Sequence, residues 1–114
     1  MQGILQKNKT AGDLLQACFP GGSITGAPKI RAMQIIEELE ETRRGPYCGA
    51  MGYIGFNGDM DTNIIIRTLI YKEGRAYLQV GSGIVSDSTP QKELIQTKQK
   101  AQKIWESFEW HFFI

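Results

Sequence analysis

The sequence predicts an α+β fold in which helices flank an antiparallel sheet. Apolar residues recur at helical spacing towards both ends of the chain. Between them lie short alternating or continuously apolar runs of strand length, and these runs are separated by hairpin turn signals. The 114 residues suffice for one domain or a piece of one. Thirteen Lys and Arg against twelve Asp and Glu leave a net charge of +1, which gives no electrostatic footprint for nucleic acid or an acidic membrane surface. No apolar run approaches the roughly 20 residues of a membrane span, and no signal peptide opens the chain. Cys18 and Cys48 are too few for a disulfide framework and read as buried thiols in a reducing cytoplasm.

Taken in order, Thr10 is placed to cap a short helix over residues 11–18, which Pro20 and Gly21 end. Thr25 and Pro28 open a longer helix to about Glu41, with Ala32, Ile35, Ile36 and Leu39 forming one apolar stripe. Arg43-Arg-Gly-Pro46 is the exit loop. Three strands follow as an antiparallel meander over residues 48–56, 63–71 and 76–80, turning at Asn57-Gly-Asp59 and at Lys72-Glu-Gly-Arg75. The middle strand is apolar on both faces, so both want cover. Ser88 or Thr89 caps a last helix with Pro90 in its first turn. Its expected buried face carries Leu94, Ala101, Ile104, Trp105 and Phe108.

The segment Pro20-Gly-Gly-Ser-Ile-Thr-Gly-Ala-Pro-Lys29 is the most informative stretch. Its glycines and hydroxyls at a helix entrance suit either a tight turn of exposed N–H groups around an anion or a purely structural turn. A P-loop is excluded, because Ala27 and Pro28 follow Gly26 where Lys and Ser or Thr are required. Arg67 lies in Ile64-Ile-Ile-Arg-Thr-Leu-Ile70. A guanidinium on so apolar a strand needs a partner: Asp61 or a glutamate inside the protein, or a substrate carboxylate. Gly81-Ser82-Gly83 allows close backbone approach to a ligand or a plain strand end. Glu93, Gln96 and Lys100 share a helix face that flanks the apolar stripe, by default a solvated polar face. His111, the single histidine, sits in an aromatic tail; no Cys/His set has metal-ligand spacing and no Ser/His/Asp triad can be assembled.

Five segments in register resemble the chorismate-utilising enzymes: Pro20 to Lys29, Arg43-Arg-Gly-Pro-Tyr47, Asn57-Gly-Asp-Met-Asp-Thr62, Ile66-Arg-Thr68, and Gly81-Ser-Gly-Ile-Val-Ser-Asp-Ser88. The first has the form typical of the aminodeoxychorismate synthase component I branch, with anthranilate synthase component I the near relative. The resemblance implies that residues 1–107 are the C-terminal part of a chorismate-binding catalytic domain, within a larger sandwich of sheets and helices, and that 108–114 are an aromatic tail. It implies chorismate contacts at Ser23, Tyr47, Arg67, Gly81, Ser82, Gly83 and Lys100. It implies Mg²⁺ near Glu93 and Gln96, although the usual ligand at the second position is a glutamate, and an amide brings no charge.

The same resemblance implies a glutamine amidotransferase partner and an upstream half of the domain carrying the general acid, a lysine-bearing motif and a further metal glutamate. The intact enzyme would convert chorismate to 4-amino-4-deoxychorismate for p-aminobenzoate and folate in the cytoplasm, with this segment inactive alone. An anthranilate synthase segment, or a non-catalytic chorismate- or anion-binding fragment, are the alternatives. The surfaces left without cover imply self-association of the isolated chain.

Overall fold

The computed structural model describes residues 3–109. It has the expected mixture of helices and antiparallel strands, in the order α1 (Ala11–Cys18), α2 (Gly22–Thr25), α3 (Lys29–Leu39), β1 (Ala50–Ile54), β2 (Met60–Ile64), β3 (Leu69–Lys72), β4 (Arg75–Leu78) and α4 (Pro90–Glu109). The chain divides into two compact units. One holds α1 to α3 and the β1–β2 hairpin; the other holds residues 44–48, the β3–β4 hairpin and α4. His111 and tail residues 110–114 lie outside the described residues.

In the first unit, α1 starts where it does because Thr10 and Asp13 close a reciprocal cap. The Asp13 N–H donates to Thr10 Oγ1 at 3.3 Å, and the Thr10 N–H donates to Asp13 Oδ2 at 2.8 Å. These bonds hold the Asp13 carboxyl below the usual carboxylate range, the Thr10 backbone N–H first and its hydroxyl next. The helix ends at Phe19, whose N–H reaches Leu15 O at 2.8 Å, before Pro20. A one-turn helix, α2, then occupies residues read as an open turn. α3 follows, with Pro28 at its N-cap. Gly26 joins them at φ 115°, and a Cβ there would also stand 3.2 Å from the Ala32 Cβ, so glycine is required.

Of the α3 stripe, Ala32 and Ile36 are half-buried, whereas Ile35 and Leu39 are exposed. In the β1–β2 hairpin, Ala50 pairs with Ile64, Gly52 with Thr62 and Ile54 with Met60. The Asn57 side chain organises the turn, accepting from the Asp59 N–H at 3.2 Å.

The second unit corrects the expected meander. The run 63–71 is two strands in two separate two-stranded sheets, not one middle strand. β2 ends at Ile64 and β3 begins at Leu69, with Arg67 between them in the left-handed region at φ 54°. An unbroken apolar run looks like one strand by alternation, but a left-handed residue ends the ladder. The outer strands are also shorter than expected, Ala50–Ile54 and Arg75–Leu78. β3 and β4 meet through Glu73 and Gly74, both at positive φ (52° and 76°), as a two-residue type I′ turn demands.

α4 begins as expected: Thr89 O accepts the Glu93 N–H at 3.1 Å, and Pro90 occupies the first turn. Its less exposed line is different. Glu93, Thr97, Ala101 and Ile104 are half-buried, while Leu94 and Trp105, expected inside, are each 55% exposed. Among the described residues no side chain is buried. Both cysteines are free, Cys18 exposed and Cys48 half-buried, which corrects their reading as buried thiols. No described helix is long and apolar enough to cross a membrane.

Candidate functional site

Five of the expected residues, Tyr47, Gly81, Ser82, Glu93 and Lys100, come together around the connection from β4 to α4. Gly81 is the junction. The Lys100 Nζ, two turns into α4 from Glu93, donates to the Gly81 carbonyl oxygen at 3.0 Å. A Cβ on Gly81 would lie 3.1 Å from the Tyr47 hydroxyl, so phenol and glycine backbone are in close approach. The Arg44 guanidinium lies 5.9 Å from the Tyr47 ring centroid and steadies the ring face. The segment carrying Tyr47 is tied to the β2–β3 connection by the Cys48 N–H, which donates to Ile65 O at 2.8 Å.

Next to this junction, Ser82 Oγ donates to the Glu93 carbonyl oxygen at 3.5 Å, and Ser88 Oγ donates to Glu93 Oε1 at 2.7 Å. The Ser82 hydroxyl, then the Ser88 hydroxyl, hold the Glu93 carboxyl below the usual carboxylate range, with a smaller push from the Lys100 charge. The other carboxylate oxygen, Oε2, is enclosed and has no hydrogen-bond partner.

The remaining expected residues are Ser23, Arg67, Gly83 and Gln96. Ser23 is exposed on α2 in the other unit. There the N–H groups of Ile24, Thr25 and Gly26 donate inward to Gly21 O and Gly22 O at 2.8–3.2 Å, so they are not the exposed cradle the glycine-rich motif suggests. Arg67 is exposed in the connection between β2 and β3 rather than set on a strand, which removes the burial argument for an internal carboxylate partner. Gly83 has open space where a side chain would begin, and Gln96 is exposed on α4.

Ser88 and Val85 were legible only as loop and cap residues. Glu93 falls one position beyond the Glu of a capping box counted from Thr89, so the standard spacing does not signal the Ser88–Glu93 bond.

For a divalent cation, the donor chemistry is a partial fit. Glu93 offers a charged oxygen without a partner and Gln96 a neutral one, whereas a hard cation takes about six oxygens. Among the described residues no three His, Cys, Asp or Glu side chains gather into a complete site.

Comparison with known proteins bears on the whole chain. The model of the chorismate binding enzyme family matches residues 1–106. Anthranilate synthase component 1 of Acetivibrio thermocellus is 49% identical over 109 residues, covering 96% of this chain and 22% of that protein. Aminodeoxychorismate synthase component 1 is 52% identical over 101 residues in Bacillus subtilis, covering 89% of this chain and 22% of the relative. The Escherichia coli protein of that name is 52% identical over 99 residues, with 87% and 22% covered. The chain thus spans about a fifth of the length of the curated relatives it matches. Two enzyme names recur at about the same identity, and the family model spans most of the sequence: this chain belongs to the chorismate-binding enzymes.

Proposed function

We propose that this chain is the C-terminal part of an aminodeoxychorismate synthase component 1, contributing one wall of a chorismate site. The observation that carries the reading is the convergence of the Lys100 ammonium, the Tyr47 hydroxyl and the Gly81 backbone at one point. Chorismate is a dianion with a hydroxylated ring. A mobile ammonium and a phenol beside a glycine that permits close approach are suitable partners for it. Arg67 and the Gly81-Ser82-Gly83 backbone would receive carboxylates. In the intact enzyme ammonia, supplied by a glutamine amidotransferase, replaces the 4-hydroxyl of chorismate, releasing water and giving 4-amino-4-deoxychorismate. Glu93 and Gln96 would hold Mg²⁺ together with ligands from outside this chain. When bound, that ion supplies charge stabilisation at a carboxylate and at the departing oxygen.

The form of the Gly22-Ser-Ile-Thr25 run supports the aminodeoxychorismate product. The second reading, amination at carbon 2 with loss of pyruvate to give anthranilate, is favoured by relatives of that name at 49–53% identity. The test is the product formed from chorismate, ammonium and Mg²⁺ by the polypeptide that carries this segment, resolved by chromatography. Aminodeoxychorismate supports the proposal; fluorescent anthranilate as the product overturns it.

A further inference from the structure

We propose that Ser88 is a positioning residue for the Gly81-Ser82-Gly83 backbone. With Glu93 it closes a clasp that holds the loop over residues 82–88 against α4, and so presents the loop's N–H groups to a chorismate carboxylate. This deepens, and rests on, the chorismate reading above, and it assigns a role to a residue outside the expected contact set.

Both ends of the loop meet one residue. At its start the Ser82 hydroxyl donates to the Glu93 carbonyl oxygen at 3.5 Å and also acts on the Glu93 carboxyl. At its end the Ser88 hydroxyl donates to Glu93 Oε1 at 2.7 Å, a short bond to a charged acceptor. Ser88 also ties its own side of the loop together. Its Oγ accepts the Val85 N–H at 3.1 Å, and its N–H returns to Val85 O at 3.0 Å. Glu93 is fixed in turn on the first turn of α4, where its N–H donates to Thr89 O at 3.1 Å. One hydroxyl therefore couples the turn at Val85 to the helix.

No apolar packing shares that task. Ile84 and Val85, between the two serines, are 74% and 68% exposed. The N–H groups of Ser82 and Gly83 make no hydrogen bond among the described residues, and a side chain on Gly83 would meet open space. The groups that face α4 are other ones: the Gly81 carbonyl on Lys100 and the Ser82 hydroxyl on Glu93. The donors are left over, and successive free N–H groups suit an anionic oxygen. Donors already in place bind such a ligand more tightly than donors that must first be ordered. Without the Ser88 hydroxyl, the ordering falls on chorismate.

The test is steady-state kinetics on chorismate, with ammonium and Mg²⁺, by the polypeptide that carries this segment. Wild type is compared with Ser88→Ala, Ser88→Thr and Lys100→Met. Ser88→Ala should raise KM for chorismate about 3- to 10-fold, the scale of one hydrogen bond, and leave kcat within about twofold, because an interaction made alike in ground and transition states sets KM alone. Ser88→Thr, which keeps the hydroxyl, should stay within about twofold of wild type in both. An unchanged KM in Ser88→Ala, beside a raised one in Lys100→Met, overturns the role of Ser88 and leaves the chorismate site standing. No turnover of chorismate by the wild type, or an unchanged KM in Lys100→Met, overturns the site reading itself. Hydrogen exchange in the wild type judges the clasp without any substitution. A Val85 amide protected with and without chorismate, beside a Gly83 amide protected only with it, supports the proposal, and a Val85 amide that exchanges freely without chorismate overturns it.

Discussion

Replacing Gly81 by alanine probes the junction at its tightest point. The added Cβ would lie 3.1 Å from the Tyr47 hydroxyl oxygen, whereas ordinary contact begins at 3.4 Å, so the phenol must recede by about 0.3 Å. Tyr47 is half-buried and its ring lies under Arg44, which limits the directions open to it. A hydroxyl displaced from a ligand loses part of a hydrogen bond worth about 0.5–1.5 kcal/mol, which converts to roughly a 2- to 12-fold loss of chorismate affinity. Gly83 is the internal control, since alanine there meets nothing within 4 Å and should leave affinity within about twofold. The decisive arm is Tyr47→Phe. With the hydroxyl gone, Gly81→Ala should cost almost nothing more, so the two substitutions couple in a double-mutant cycle. Calorimetric titration with chorismate gives all five affinities. Equal losses from Gly81→Ala and Gly83→Ala, or strictly additive effects in the Tyr47→Phe background, would refute the shared junction.

Three further outcomes are expected. Thr10→Ala removes an N-cap and should cost about 1 kcal/mol of α1 stability, read as lost amide protection at Asp13 and Leu14 in hydrogen exchange. Gly52→Ala should disrupt the β1–β2 hairpin. Its Cβ would collide with the Asp61 carbonyl oxygen and lie 2.7 Å from the Thr62 Cα, both backbone atoms, and cross-strand contacts between Gly52 and Thr62 should vanish from NMR spectra. Glu93 has a depressed folded-state pKa, so its contribution to order is present above the unfolded value and is lost as pH falls through the folded one. The Val85 amide resonance should therefore hold steady through the ordinary carboxylate range and move only below it, and Ser88→Ala should bring that change to higher pH.

Helices α1, α3 and α4 were legible because their signals are local. Thr10 with Asp13, and Pro90 behind Thr89, mark starts by chemistry that needs no distant partner. The Glu73-Gly74 turn was equally plain. The run 63–71 misled for the opposite reason: its isoleucines report apolar surroundings, and nothing in their spacing shows that Arg67 takes a left-handed conformation that ends one sheet and starts another. The face of α4 was misjudged likewise. Leu94 and Trp105 mark the stripe most in need of cover, but the line that packs within this unit runs through Glu93 and Thr97, drawn in by hydrogen bonds to Ser82 and Ser88. For the site, glycine and cation positions were readable as motifs. Their juxtaposition was not, because Lys100 reaches Gly81 across 19 residues of sequence.

Those exposed stripes set the energetics of the whole segment. α1 has 8 residues and α3 has 11, below the ~12–15 at which isolated helices become even marginal in water. Both hairpins are two-stranded, an arrangement that is itself marginal without a covered face. Ordering each residue costs about 1–2 kcal/mol of backbone entropy, and apolar burial is the term that offsets it at about 25 cal/mol per Å². With no described side chain buried, while Phe56, Ile84 and Leu39 stand largely in water, that offset has to come from apolar surface beyond the contacts made here.

Two sources are available to this chain: a second copy, or the remaining length that its relatives have and it does not. Sedimentation separates them. The isolated chain should associate at low micromolar concentration, and supplying the corresponding upstream region of a relative should convert the associated form to a one-to-one complex. The same coupling reaches the ligand. A junction held by one lysine bond and one close contact is ordered only when its surroundings are, so chorismate affinity should rise when the covering surface is supplied, because the cost of ordering the site is then met before the ligand arrives. A stable monomer, with the same chorismate affinity in the presence and absence of that region, would contradict both steps.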